Sequence, residues 1–309
     1  MSYWENKKIL VTGGAGFLGS YVVENLRSKG IAEKNILIPR SRDCDLKHFE
    51  NCRKIVSGCD IVIHLAAVTG GISFSRAYPA RQYYESTLID LNMIEAACQE
   101  KVKKFVAIGN LFAYAADVPI PIGEEHLFNG LPTDAHRGVG WMKRNLALVA
   151  ELYFRQYGFP IAVVYSANGY GPKDSLDPSH AHVIPATIMK CFKDKELIVW
   201  GDGSPTRDFL FGKDIAEGLL LAAERLDPPR FVNIGSGIET SIKKLVELIV
   251  EYSGFKGKVF FDKTKAGGDA RRFTSIEKAQ EWLDFKPKVS IEQGMKKTVD
   301  WYREQLLKK

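Results

Sequence analysis

The stretch Lys8-Ile9-Leu10-Val11-Thr12-Gly13-Gly14-Ala15-Gly16-Phe17-Leu18-Gly19 decides the fold, because an apolar strand-like run passes straight into a glycine-rich turn. Beyond it Val22, Val23 and Leu26 recur at helical spacing, and Gly30 stands where that helix would stop. Glycines spaced three apart, Gly13, Gly16 and Gly19, let the chain bend tightly and bring backbone amides up to a pyrophosphate. The start of the following helix favours the anion's charge. Strand, turn and helix in this order form a dinucleotide-binding unit, with contacts predicted from Gly13, Gly16, Phe17, Leu18 and Gly19.

Outward from this unit, strand-like runs at 36–39, 61–65, 104–108 and 161–165 alternate with helical patterns. That alternation predicts an α/β fold, a Rossmann-type doubly wound parallel sheet covered by helices on both faces. From about Gly171 the texture changes to loops rich in Pro, Asp, Gly and Ser. Short strands follow, then a helix in which Ile242, Leu245, Val246 and Ile249 share one face before Gly254. The expected organisation is a dinucleotide-binding domain over 1–170 and a smaller, mainly substrate-binding α/β region over 171–309, with chain crossings between the two.

With 309 residues, 45% hydrophobic and 26% charged, the chain has the composition of a soluble globular protein and not of a disordered one. The apolar run 61–68 falls far short of the roughly 20 residues that a bilayer span needs, so no membrane association is expected. The residues before the first strand are partly charged and lack the apolar core of a signal peptide, which makes the cytoplasm the expected compartment. Cys44, Cys52, Cys59, Cys98 and Cys191 are scattered, without a C-x-x-C pair or clustered histidines, so neither a disulfide framework nor a metal site is expected. A net charge of +6 suits an anionic ligand, yet the basic residues are spread along the chain, which argues against nucleic acid.

At the end of the second strand, an enzyme using NAD carries Asp or Glu to bind the adenosine ribose diol. Here the segment reads Pro39-Arg40-Ser41-Arg42. Guanidinium groups pair bidentately with phosphate oxygens and suit a 2′-phosphate better than a free hydroxyl. NADP is therefore the expected cofactor, bound through Arg40, Ser41 and Arg42, with NAD the alternative.

Further along, His64-Leu65-Ala66-Ala67 precedes Val68-Thr69-Gly70-Gly71-Ile72, and Asn168-Gly169-Tyr170-Gly171-Pro172 precedes Ser179-His180-Ala181-His182-Val183-Ile184-Pro185. Trp200-Gly201-Asp202-Gly203, Arg207-Asp208-Phe209, Asn233-Ile234-Gly235-Ser236-Gly237 and Arg271-Arg272 complete the series. In this order the motifs resemble the extended short-chain dehydrogenase/reductase superfamily of nucleotide-sugar epimerases and dehydratases, and most closely its GDP-L-fucose synthase (GDP-4-keto-6-deoxymannose epimerase-reductase) family. The resemblance runs from about Lys7 to Tyr302. It implies a cleft between the two regions that binds a nucleoside diphosphate sugar, with Leu65, Ala66 and Ala67 toward the cofactor. Asn168, His182, Val183, Trp200, Arg207 and Arg272 are implied on the sugar-nucleotide side, where a guanidinium such as that of Arg207 can pair with a diphosphate. It also implies a homodimer. The stretches 88–98 and 143–154, apolar on more than one face, suit a helical interface, and burial within one subunit is the alternative.

In the resembled superfamily a Ser or Thr and a Tyr-x-x-x-Lys pair carry the chemistry: tyrosine moves the proton on a sugar oxygen, lysine holds the nicotinamide ribose, and the hydroxyl residue bonds the same oxygen. Lys143 matches the lysine, but Val139 stands at the tyrosine position and Asn110 at the hydroxyl position, four residues before Tyr114. The family also gives proton transfer at two sugar carbons to a cysteine and a histidine; the histidine resembles His182, whereas Phe112 stands for the cysteine. A positioned general acid contributes about 10² to 10⁴ in rate, or about 3 to 5 kcal/mol of barrier. Candidate substitutes are Tyr114, Tyr165, Tyr170 and His136.

The function that follows from the resemblance is an NADP-dependent epimerase/reductase acting on a GDP-(4-keto-6-deoxy) sugar, with UDP-, CDP- or dTDP-sugars as alternative substrates. Two other readings are a homologue carrying inactivating substitutions and a pseudoenzyme that binds NADP or nucleotide sugar as a regulatory subunit.

Overall fold

The computed structural model describes residues 3–68, 70, 72–177, 181–226, 228–265 and 270–308. Of the motif residues, Thr69, Gly71, Ser179 and His180 lie outside the described residues. The strands are β1 (Ile9–Thr12), β2 (Ile36–Leu37), β3 (Ile61–His64), β4 (Lys104–Asn110), β5 (Ile161–Ser166), β6 (Asn168–Tyr170), β7 (Glu196–Trp200), β8 (Thr206–Phe211), β9 (Phe231–Ile234), β10 (Glu239–Ser241), β11 (Lys258–Asp262) and β12 (Arg271–Arg272). The helices are α1 (Phe17–Ser28), α2 (Phe49–Val56), α3 (Ile72–Ala77), α4 (Pro79–Gln99), α5 (Arg137–Tyr157), α6 (Val183–Lys193), α7 (Gly212–Arg225), α8 (Ile242–Ser253), α9 (Glu277–Leu283) and α10 (Ile291–Leu307).

Every residue of β1, β3 and β5 is buried, as strands covered on both faces require, and their sequences are accordingly near-continuous apolar runs. They belong to a six-stranded sheet in the order β2-β1-β3-β4-β5-β9, parallel throughout. From β1 the chain winds to β2 on one side and then returns to place β3 on the other. The crevice beyond the carboxyl ends of β1 and β3 is thus the switch point at which this architecture binds ligands.

A buried polar chain closes that switch point from beneath. Thr12 pairs in register with His64, and its hydroxyl accepts hydrogen bonds from the amides of Leu65 (3.1 Å) and Ala66 (3.2 Å). The one hydroxyl hydrogen is then directed to His64 Nδ1 at 2.7 Å, so His64 donates from Nε2 to Asp90 of α4 at 3.0 Å. A small apolar residue at position 12 would leave the Ala66 amide and a buried imidazole to be satisfied elsewhere, whereas the Leu65 amide would keep the Thr12 carbonyl at 3.2 Å.

The main sheet is not complete at residue 170. Strand β9 pairs with β5, and α7 packs against α1, so residues beyond 211 return to the dinucleotide-binding half. The rest of the later chain builds a smaller unit around β8, which pairs with β6, β10 and β12, beside the β7–β11 ribbon and helices α6, α8 and α10. Ser241 caps α8 by accepting from the Lys244 amide, Gly254 ends it in the left-handed conformation, and Ser290 with Gln293 forms a capping box at α10. Helices α4 and α5 pack on each other and leave Tyr84, Leu91, Leu148, Leu152 and Tyr157 exposed.

The tightest point of the glycine turn is Gly19. A Cβ there would lie 2.1 Å from the Gly13 carbonyl oxygen and 2.5 Å from the Gly14 Cα, and backbone atoms cannot swing aside. Gly19→Ala is expected to cost about 1 to 3 kcal/mol of stability. Urea unfolding measures this, and an unchanged midpoint would show that the turn has room the geometry denies.

Candidate active site

A single cleft of about 1770 Å³ runs from the glycine turn, past the ends of β3 and β4, to α6 and β8. At its first end Gly13 has φ +67°, and a Cβ on it would stand 3.1 Å from Leu65 C and Ala66 N, so a bare backbone lets β1 and β3 close on each other. Gly16 is the N-cap of α1 and supplies no capping side chain, which leaves the first amides of the helix to an anion. Gly13, Gly16, Phe17, Leu18 and Gly19 line this end together with Leu65, Ala66 and Ala67. Arg40 and Ser41 line its far corner. Arg42 is not among the lining residues, and its Nε bonds Asp43 at 3.1 Å on the surface. The glycine cradle and the open helix start fit a dinucleotide cofactor, with Arg40 and Ser41 beside them.

The middle of the cleft is built by the end of β4 and the first turns of α5. Asn110 Oδ1 accepts from the Phe112 amide at 3.1 Å and so starts a tight turn over Leu111–Ala113. That turn is held from behind by Arg272, buried, which donates to the carbonyls of Leu111 (2.8 Å), Tyr114 (2.9 Å) and Ala115 (3.3 Å). The guanidinium expected on the sugar-nucleotide side thus also braces this turn, and Arg272 lines the cleft. Phe112 lies flat against His136, with ring centroids 3.7 Å apart and an interplanar angle of 8°. Val139 and Lys143, one turn apart on α5, both line the cleft, and Lys143 is buried.

Three of the four candidate substitutes for a tyrosine at position 139 have their hydroxyls engaged elsewhere. Tyr114 donates to Asn233 Oδ1 at 2.6 Å, Tyr165 to the Lys143 carbonyl at 2.8 Å, and Tyr170 faces the Ser290 carbonyl at 3.4 Å. None of the three lines the cleft, and burial pushes each phenol well above its ordinary range. His136 does line it, with Nδ1 at 3.3 Å from the Thr133 hydroxyl.

At the far end the cleft gathers Asn168, His182, Val183, Trp200 and Arg207, each expected there. Asn168 Nδ2 donates to the Asp208 carbonyl at 3.1 Å, and His182, the N-cap of α6, stands 3.9 Å from Asp174. Burial raises the Asp174 carboxyl, and the neighbouring His182 partly offsets this. Sequence reasoning missed Arg76 on α3, the 133–135 segment, and Lys190 and Lys193 on α6, all of which line the cleft. No motif marks them; the one available signal was a pair of lysines three apart following the His-Val-Ile-Pro run.

Beneath Arg207, Asp208 is fully buried and accepts from the Ser236 amide (2.8 Å) and hydroxyl (2.6 Å). Burial pushes its carboxyl up to about 6, against the pull of the Ser236 hydrogen bonds. The folded protein therefore holds a proton there that the unfolded chain, ordinary near 3.8, gives up. The stability this proton contributes is present below about pH 4 and lost as pH rises through about 6. Asp208→Asn keeps the acceptor oxygen and removes the titration. Its stability relative to the parent should rise by about 3 kcal/mol across that window. Parallel slopes in urea unfolding from pH 4 to 7 would contradict this.

A glycine turn at a switch point, a buried lysine on α5 and a cleft that ends in basic side chains define a dinucleotide-dependent α/β enzyme for an extended anionic ligand. The chain belongs to the NAD dependent epimerase/dehydratase family, whose pattern matches residues 9–235. GDP-L-fucose synthase 1 of Arabidopsis thaliana is 32% identical over 307 residues, spanning 96% of this chain and 94% of its own. Among solved structures, a GDP-mannoheptose C4 reductase from Campylobacter jejuni with NADP bound superposes with a TM-score of 0.87 at 26% identity, covering 96% of this chain and 98% of that one. UDP-glucose 4-epimerase of Thermotoga maritima with UDP-glucose gives 0.85 at 29% identity, over 96% and 99%. The resemblance read from the motifs is borne out along nearly the whole chain.

Proposed function

We propose that the protein is an NADP-dependent reductase of a GDP-linked 4-keto sugar, a member of the epimerase/reductase group that reduces without epimerising. The observation that carries this reading is the pairing of a complete cofactor cradle with a flat Phe112–His136 stack at the position of the epimerising cysteine. A phenyl ring moves no proton, so chemistry at the carbons beside the carbonyl loses its partner, while reduction of the carbonyl itself needs only hydride and one proton. Relatives named GDP-L-fucose synthase and GDP-mannoheptose C4 reductase support a GDP-sugar, and the NADP in the latter structure supports the cofactor.

In this reading the α1 amides hold the cofactor's pyrophosphate and Arg40 with Ser41 holds its 2′-phosphate. Lys143 holds the nicotinamide ribose, and its backbone carbonyl, fixed by Tyr165, keeps that turn of α5 in place. When bound, NADPH supplies a hydride to the sugar carbonyl carbon. Arg207 and the α6 lysines face the diphosphate end, and Asn110, with an amide that can donate, is available to the carbonyl oxygen. The absence of both hydroxyls at Asn110 and Val139 favours, as the second reading, a subunit that binds these ligands without turnover.

Oxidation of NADPH in the presence of GDP-4-keto-6-deoxymannose separates the two. The chain itself should turn over slowly, and Asn110→Ser/Val139→Tyr should raise the rate by about 10² or more. Arg40→Ala should erase the preference for NADPH over NADH in the same assay. No oxidation by either chain, with no binding of the nucleotide sugar, would remove the reductase reading.

A further inference from the structure

His136 lines the middle of the cleft together with Val139, which stands where the superfamily's tyrosine would be. His136 is the N-cap of α5, and Val139 and Lys143 follow at spacings of three and seven, which sets all three on one face of the helix start. Each of the three lines the cleft. The lysine thus keeps its place one turn after the lost tyrosine, and a histidine stands one turn before it.

The ring is not loose. Phe112 stacks on it at 3.7 Å, Thr133 Oγ1 stands 3.3 Å from Nδ1, and the turn that carries Phe112 is pinned by Arg272. A phenyl ring in place of a cysteine, which removes one proton carrier, therefore serves as the platform that orients another.

A second, smaller cavity of about 190 Å³ adjoins the cleft at this point, and Ser75, Arg76, Gln82, Asp134, His136 and Val139 belong to the walls of both. It has room for several waters at about 30 Å³ each, with polar groups to hold them, and so offers a path for a proton from solvent to the ring.

Charge around the ring is mainly positive. Arg76 of α3 and Lys143 of α5 line the cleft with it, Arg137 lines the smaller cavity in an ion pair with Asp134 of the same turn, and Arg272 lies beyond Phe112 with its guanidinium 5.9 Å from that ring. Positive surroundings favour release of a proton to an oxygen that is gaining negative charge.

We propose that His136 is a catalytic residue of this chain and gives the sugar carbonyl oxygen the proton that the superfamily's tyrosine would have given. The inference rests on the reductase reading above. In the step, the carbonyl carbon gains a hydride from the reduced cofactor, the carbon–oxygen π pair moves onto oxygen, and that oxygen takes the proton from the imidazolium. The imidazole is left neutral and regains its proton from water in the adjoining cavity; ketone becomes alcohol and the cofactor is oxidised, so charge and electrons balance.

Two measurements test it. In the first, NADPH oxidation with GDP-4-keto-6-deoxymannose is followed across pH for the parent, His136→Gln and His136→Gln/Val139→Tyr. The parent rate should fall as pH rises through the neutral range, as for a histidine acid. His136→Gln should lower kcat by about 10² or more with little change in KM and should lose that dependence. Tyrosine at 139 should then recover most of the rate. In the second, the same keto sugar is titrated into the protein with oxidised NADP present, in two buffers of different ionisation heat. The parent should take up a proton on binding and His136→Gln should not. An unchanged kcat, pH profile and proton uptake in His136→Gln would overturn the proposal, as would a loss of rate that tyrosine does not repair. If neither the parent nor Asn110→Ser/Val139→Tyr oxidises NADPH, the reductase reading fails instead, and the proton uptake still decides whether His136 meets the sugar.

Discussion

Thr12 and His64 face each other at the carboxyl ends of neighbouring parallel strands, and the hydrogen-bond chain between them sets the shape of everything above. One hydroxyl accepts two amides from the bend after β3 and passes its hydrogen to His64, which passes its own to Asp90 of α4. The chain is buried throughout, so each partner is costly to remove. It ties the sheet to α4 and holds Leu65 and Ala66 so close to Gly13 that a Cβ there would stand 3.1 Å from their backbone. Remove that closure and the cleft has no fixed floor.

The catalytic half depends on a second piece of positioning, the short turn after β4. Asn110 opens it, Arg272 reaches over from the later part of the chain to bind its carbonyls, and Phe112 projects from it onto His136. A residue from late in the chain thus braces a turn at the end of the main sheet, tying together segments far apart in sequence. The substitutions at 110, 112 and 139 are coherent in this light. On the proposed function, Asn110, Phe112 and Val139 change which atoms can carry a proton, and one positioned general acid is worth about 3 to 5 kcal/mol of barrier.

Much of this was legible from the chain. The β1 turn, the early strands and the lining residues from Gly13 to Arg207 follow from glycine spacing, apolar runs and motif order. What was not legible has a common physical cause: sequence spacing carries no side-chain direction between distant segments. Arg42 reads like Arg40 but is captured by Asp43, one residue away. Tyr114, Tyr165 and Tyr170 read as acids, yet their hydroxyls are satisfied in the core. The return of Phe231–Ile234 to the main sheet rests on four residues, too few for periodicity to announce. The Phe112–His136 stack joins two turns with no shared pattern, and only their fold brings the rings together.

The central claim is that this cleft reduces a carbonyl and has given up moving protons on carbon. The direct measurement is to run the reaction with NADPH and GDP-4-keto-6-deoxymannose in deuterium oxide, against an enzyme-free control, and to locate deuterium in the product sugar by NMR. The account predicts a reduced sugar with no enzyme-dependent deuterium at the carbons flanking the former carbonyl. Enzyme-dependent label at either carbon would contradict it, because a proton carrier other than the lost cysteine would then be working opposite His182.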